Sequence, residues 1–533
     1  MKKILLFGLL FFTTLISFAQ NILVDGVNDP NEVSIAINPK NTQELAAGSN
    51  LQNYYYSHDG GQTWTANYIY SASGVWGDPM LLCDTAGNFY FFHLSAPGGQ
   101  SWDSAGFLDR IVCQKSTDGG VTYPGDYFFG QQNQNRVEDK EWSCVDPATN
   151  FIYSAWTEDD RYSGIPTGYT VTSADSSRIL FARSTDGGVT WSAPVTISTY
   201  EGNCYDSDST NEGAVPCVAP NGDVYVVYSL GNSILFTKST DHGLTWLPVN
   251  TLAANQIGGW DITVSGFYRT NGMTVSGCDL SNSPYHGTVY INWSDIRNGA
   301  SDPDVFICKS TDGGTNWSAP IRVNNDTTHT PQFSNWMSVD PITGNVYVAY
   351  YDRSLHSGND STDVFLARST DGGATFTNQR INTESFLPDN SIFPGDYINV
   401  AAYNGNVHVI WTKIETGVGT SVWTNYSYFQ PTGVANNFSE SINEITLANP
   451  MPNPAAERTF IQFNNQHEEK LSLQLFSITG EKMLDIFSDK NFSAGWHGES
   501  FSTVENNISA GSYLLVLKNE KGIVAVKKMV CVK

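Results

Sequence analysis

Positive charge is scarce in this chain. Its 533 residues carry 28 Lys and Arg against 53 Asp and Glu, a formal net charge of −25, and no arginine occurs before Arg110. From Leu447 onward acidic and basic residues number nine each, so residues 1–446 hold 44 acidic against 19 basic groups. A field of that sign excludes nucleic acid and anionic membrane as partners and suits an extracellular protein. Long apolar runs are lacking too. After Met1-Lys2-Lys3 and the apolar run to Phe18, no stretch approaches eighteen apolar residues, which excludes a transmembrane helix. Residues 1–20 read as a secretory signal peptide, and the mature chain is expected outside the cell or on its outer surface. Gly-x-Ser-x-Gly, His-Glu-x-x-His and phosphate-loop motifs are absent. Only 15% of residues are charged, whereas glycines number 47 and aromatics reach 13%, a balance that favours an all-β protein with many tight turns.

What is present is a repeat. Ser57-His58-Asp59-Gly60-Gly61-Gln62-Thr63-Trp64 has five relatives, beginning at Ser116, Ser184, Ser239, Ser310 and Ser369. Each places an aspartate two residues after the serine: Asp59, Asp118, Asp186, Asp241, Asp312 and Asp371. The carboxylate can fold back onto backbone N–H groups, the glycines supply positive φ, and the closing aromatic can pack down. A chemical group is not needed six times over, so these aspartates read as structural. The octets resemble the Asp-box of bacterial-neuraminidase-type (BNR) repeats. That resemblance implies a β-propeller of the sialidase-like superfamily, with each box on the turn between the third and fourth strands of a blade. It implies fold more strongly than function.

Around the boxes a longer unit repeats over residues 21–430. Its clearest instance has strand-like runs at Glu141–Pro147, Asn150–Trp156, Arg178–Arg183 and Ala193–Ile197, with turn residues between them. Seven such units can be aligned, the last without a box, and an outer strand from Asn21–Val24 would close the ring. A seven-bladed propeller is therefore expected, six blades being the alternative. Residues 431–446 read as a linker. Residues 447–533 carry Pro450-Met451-Pro452-Asn453-Pro454, a Thr479-Gly480-Glu481 turn and Ala510-Gly511-Ser512-Tyr513. They resemble the C-terminal sorting domain of the type IX secretion system, which implies a small β-sandwich serving as an export address and the secretion machinery as a partner. The eight cysteines permit disulfides in an exported chain, but Cys83, Cys144, Cys217 and Cys278 share one slot of the unit and read as small buried apolar groups. Cys204 with Cys217 is the one bridge the spacing leaves to test.

Boxes between strands three and four put the opposite face at the segments entering strand one and leaving strand two. Entering residues include Glu32, Asp78, Asp139, Glu141, Glu212, Asp396 and Tyr397; leaving residues include His93, Arg161, Arg297 and Arg353. Carboxylates across a pocket can act as acid and base, and a carboxylate can activate a tyrosine, so Asp396, Tyr397, Asp78 and Glu141 are the catalytic candidates. Arg161, Arg297 and Arg353, with His93, are the substrate-binding candidates, because arginines can clamp a sugar carboxylate bidentately. Calcium is the only cofactor the composition suggests, through Asp302-Pro303-Asp304 and Asp206-Ser207-Asp208, neither of which has the spacing of a dedicated loop. The Phe/Tyr-Arg-Ile/Leu-Pro motif of sialidases is absent, which puts sialidase chemistry in doubt. Three readings follow: a propeller that binds or processes extracellular glycans, a non-catalytic adhesin or scaffold engaging a surface protein, and an exo-acting glycoside hydrolase or propeller polysaccharide lyase.

Overall fold

The computed structural model describes residues 21–99, 107–131, 136–161, 170–426, 445–447, 450, 453, 455–465, 467–477, 482–519 and 522–532. The expected signal peptide and most of the expected linker lie outside them. Every regular element among the described residues is a β-strand. Two compact units are present, one formed by Ser17–Phe429 and one that includes Gln430–Lys533.

The larger unit contains seven four-stranded antiparallel sheets. Their innermost strands are Ser34–Ile37, Gly77–Cys83, Val137–Val145, Glu212–Val218, Val275–Cys278, Gln332–Val339 and Asn399–Tyr403, and each touches the next until the seventh meets the first. In the seventh sheet the outer strand is Asn21–Asp25, paired antiparallel with Gly419–Tyr426, so the two ends of the repeat region close the ring in one sheet. Second strands such as Phe89–Leu94 and Val346–Asp352 are buried on both faces because a neighbouring sheet covers each side.

The boxes form the turns between third and fourth strands. In the first, Ser57 Oγ donates to Asp59 Oδ1 at 2.8 Å, and Asp59 accepts from the Thr63 N–H at 2.9 Å and the Thr63 hydroxyl at 2.7 Å. The Gly61 N–H donates to Ser57 Oγ, and Trp64 Nε1 to the Gly61 carbonyl. The second glycine is required twice over: its φ is positive, and a Cβ on Gly243 or Gly314 would meet the Phe181 or Phe236 ring of the preceding sheet at 2.4 and 2.3 Å. The residue before the box serine fastens sheet to sheet. Arg183 donates to the His242 carbonyl at 2.6 Å, Lys238 to Gly313 at 2.9 Å, and Lys309 to Gly372, in each case the fourth residue of the following box.

The C-terminal unit pairs a sheet of Ile445–Leu447, Arg458–Asn465 and Gly495–Ser502 with one of Lys482–Phe492, Glu469–Ser477, Gly511–Asn519 and Gly522–Cys531. Alternate residues such as Ile461, Phe463, Leu471, Leu473, Leu515 and Leu517 share one core. Ile445 and Thr446 pair with Asn465 and Asn464, so strand structure begins two residues inside the segment read as linker.

All eight cysteines are free, and Cys204 and Cys217 are not bridged. A thiol titration of the unfolded full-length chain should return eight thiols with and without reductant. The box carboxylates of Asp241, Asp312 and Asp371 are held down from 3.8 to about 2: hydroxyl, amide and backbone donors lower the first two, and in Asp371 the same donors outweigh burial. A carboxylate that titrates lower folded than unfolded contributes its stabilisation above the unfolded value and loses it as pH falls through the folded one. Acid unfolding should therefore set in between about pH 4 and 2. Replacing Asp312 by Ala should lower the melting temperature at pH 7 and flatten its dependence on pH in that window.

Candidate functional site

The channel end opposite the boxes is built by one repeated backbone device. Register shifts fall between Gly77 and Met80, Asp139 and Trp142, Glu212 and Val215, and Phe333 and Trp336, at the start of four innermost strands. In each, the first extra residue sits in the left-handed region: Asp78 at φ 50°, Lys140 at 51°, Gly213 at 69° and Ser334 at 51°. Glu32, just ahead of the first sheet, is at 52°. A bulge of this kind re-aims its side chain, and here it brings Glu32, Asp78 and Lys140 together.

Lys140 lies at the centre. Its Nζ is 3.3 Å from Glu32 Oε1, 3.1 Å from Asp78 Oδ1 and 2.7 Å from Asp396 Oδ2, with every one of these side chains less than 10% exposed. Three carboxyl groups thus surround one ammonium. Tyr397 donates its hydroxyl to Asp78 at 3.1 Å and packs its ring edge on Trp142, which meets Trp336 with ring centroids 4.2 Å apart. This aromatic layer divides the polar end from a cavity of about 340 Å³ on the box side, lined by Ile35, Met80, Val215, Trp336 and Val400.

Over the polar end lies a connection between the fourth and fifth sheets that the repeat does not explain. Asp261–Ile262 and Thr270–Asn271 pair as a small hairpin, burying Trp260, Ile262, Val264 and Phe267. Arg269 bridges Asp396 Oδ2 and Asp206 Oδ2, each at 2.7 Å, and Asn271 Nδ2 donates to the Asp396 carbonyl. Phe267 packs against Phe333, Tyr351 and Phe386 of the sixth sheet and the connection after it.

Burial and neighbouring charge separate the carboxyl groups. Burial alone would raise Asp396, but Arg269 and Lys140 hold it below the usual carboxylate range. Burial, then Asp78, pushes Glu32 and Glu141 well up; burial, opposed by Lys140 and helped by Asp78, leaves Asp139 at about 7; burial, then Asp139, raises Glu212 and Asp159. Both Glu141 oxygens are buried and take no hydrogen bond from another residue.

Of the sequence candidates, Asp78, Asp396 and Tyr397 meet in this network, whereas Glu141, next to Lys140 in the chain, is buried without a hydrogen bond into it. The tyrosine's carboxylate partner is Asp78 rather than its neighbour Asp396, and burial keeps the phenol protonated. The three arginines do not form a clamp. Arg161 pairs with Asp175, Arg297 folds back on Asp295 over the Trp293 and Phe306 rings, and Arg353 is buried, bonding Thr362, Asp360 and the Ser265 carbonyl of the hairpin connection. Arg353 therefore fastens the cover in place and presents no free guanidinium. His93 is fully buried in a second strand, its Nδ1 2.9 Å from the Leu94 carbonyl, and burial holds it down to about 4, so it stays neutral and out of a ligand's reach. Asp302 binds His329, and among the described residues no cluster of His, Cys, Asp or Glu has metal-holding geometry. Lys140 and Arg269 escaped the sequence reading. Lys140 could have been noticed as a cation between two acids, and the hairpin by the unusual length between the fourth box and the fifth sheet.

These features define an Asp-box β-propeller whose box face is structural and whose opposite channel end is charged. Residues 451–533 match the family described as a secretion system C-terminal sorting domain, and residues 55–66 match the BNR/Asp-box repeat. The chain is thus a propeller carrying a type IX sorting domain, which marks it for export to the surface or beyond. Among curated proteins a xyloglucanase of a Paenibacillus species is 29% identical over 149 residues, 25% of this chain and 14% of that protein's length. Solved structures with similarity include a polysaccharide lyase of family PL25, an ulvan lyase, at 13% identity, 77% and 96% coverage of the two chains and a TM-score of 0.45. A Hadza microbial sialidase is similar at 15% identity, 72% and 73% coverage and 0.40, and an α-L-arabinanase of Penicillium chrysogenum at 12%, 76% and 97%, and 0.40. No helix of the described residues is long and apolar enough to cross a membrane.

Removing the central ammonium leaves buried carboxylates facing one another. Lys140→Met should cost about 3–5 kcal/mol in denaturant unfolding, whereas Arg161→Ala, at a half-exposed pair, should cost no more than about 1 kcal/mol.

Proposed function

We propose that this exported propeller binds extracellular glycans on the face opposite its boxes, and that binding rather than cleavage is its principal activity. The observation that carries this reading is how the candidate catalytic groups are engaged: Asp396 and Tyr397 are 2% and 5% exposed, and Asp396 is already neutralised by Lys140 and Arg269 beneath the hairpin. Groups so paired hold a surface in shape; they are not presented to a scissile bond. The sorting domain supports this reading, because an exported protein works where polysaccharides are met.

A second reading, hydrolysis, is favoured by the split among the carboxyls, since Arg269 and Lys140 favour the ionised form of Asp396 while burial favours the protonated forms of Asp139 and Glu141, the condition for a base and an acid in one site. The two are separated by testing full-length protein on a glycan array and for released reducing ends on the same glycans. Binding without product supports the first reading; a blank array overturns it. Product that disappears in Asp396→Asn supports the second, and its rate should then fall as pH rises through about 7, where Asp139 loses its proton.

A further inference from the structure

Exposed aromatic rings are distributed unevenly over the propeller. Box aromatics such as Trp64 and Trp191 turn inward and are only half-exposed. Five tyrosines of the described residues are exposed: Tyr68, Tyr70, Tyr200, Tyr205 and Tyr268. All five stand at the end of an outer strand or on a connection between sheets, positions that share the face opposite the boxes. Three are mounted together. Tyr200 and Tyr205, 50% and 47% exposed, lie on the connection into the fourth sheet; Tyr268, 63% exposed, lies on the hairpin. The two segments are tied by the Arg269–Asp206 ion pair at 2.7 Å and by the Asp261 N–H donating to Asp208 Oδ1 at 2.8 Å. Asn211 Nδ2 holds the Tyr200 carbonyl, and Tyr268 meets Phe393 edge-on at 6.0 Å. Rings held in water by a rigid backbone lose little freedom when a ligand stacks on them.

The charge around them selects the ligand. Asp206, Asp208, Asp261 and Glu201 share these segments; the cation on them, Arg269, is occupied by Asp396 and Asp206, and Arg178, 3.8 Å from Glu201, is held by Glu158 and Asp160. Carboxylates and tyrosine hydroxyls accept hydrogen bonds from sugar hydroxyls, but they repel a sugar carboxylate or sulfate. Resting on the glycan-binding reading above, we infer that Tyr200, Tyr205 and Tyr268 form a stacking platform for an uncharged polysaccharide chain spanning several sugar rings.

The test is affinity electrophoresis and calorimetry of full-length protein with hydroxyethylcellulose, laminarin and dextran as neutral probes and with alginate and polygalacturonate as anionic ones. Retention by a neutral probe in preference to both anionic ones is expected. Tyr200→Ala, Tyr205→Ala and Tyr268→Ala, each with an unchanged melting temperature, should weaken binding by roughly two- to tenfold apiece. Preference for an anionic probe, or neutral binding untouched by the three substitutions, overturns this inference and leaves the glycan-binding reading standing. Failure to bind any glycan, on the array or in the gel, removes that reading and this one with it.

Discussion

The structure depends on one buried ammonium. Glu32 precedes the first sheet, Asp78 belongs to the second, Lys140 to the third and Asp396 precedes the seventh, so a single Lys140 side chain ties together four consecutive members of the ring at its axis. The seventh and first sheets are where the repeat must close, and at the rim closure is completed by pairing Asn21–Asp25 with Gly419–Tyr426. Ring closure thus has an outer fastening made of backbone hydrogen bonds and an inner one made of charge. The two differ in kind. A strand pairing tolerates side-chain change, whereas acidic groups packed together in a low-dielectric interior depend on the ammonium among them.

Most of the fold was legible because the unit repeats. A box read once as a turn is read six times, and the strands on either side follow from alternation and spacing, down to the N-terminal strand completing the seventh sheet. The site was legible only in part, because it is made where the repeat is broken. Asp78, Asp396 and Tyr397 could be gathered by asking which residues enter the innermost strands. Lys140 is marked in the sequence only as a cation between two acids, because its role comes from a bulge that turns a residue inward at left-handed φ, and a bulge shifts register without leaving a mark in composition. Arg269 and the hairpin around it come from an insertion with no counterpart in the other units. The expected arginine clamp failed for a related reason. Equivalent sequence slots place Arg161, Arg297 and Arg353 at equivalent loop ends, but in an acid-rich chain each guanidinium finds a carboxylate nearby before it can reach the axis.

The scarcity of cations also bears on the proposed function. With 19 basic against 44 acidic groups in residues 1–446, Lys140 and Arg269 neutralise carboxylates at the channel end and Arg353 fastens the hairpin. What this face can offer a ligand is the complement of that expenditure: hydrogen-bond acceptors and tyrosine rings. A protein that met an acidic sugar would need the opposite balance. Charge turned inward and rings turned outward are what the proposed affinity for uncharged, hydroxyl-rich chains rests on. The six box aspartates contribute to that outcome without touching a ligand. By satisfying their own turns they join third strands to fourth, and the ring so built is what lets a single lysine organise the other side.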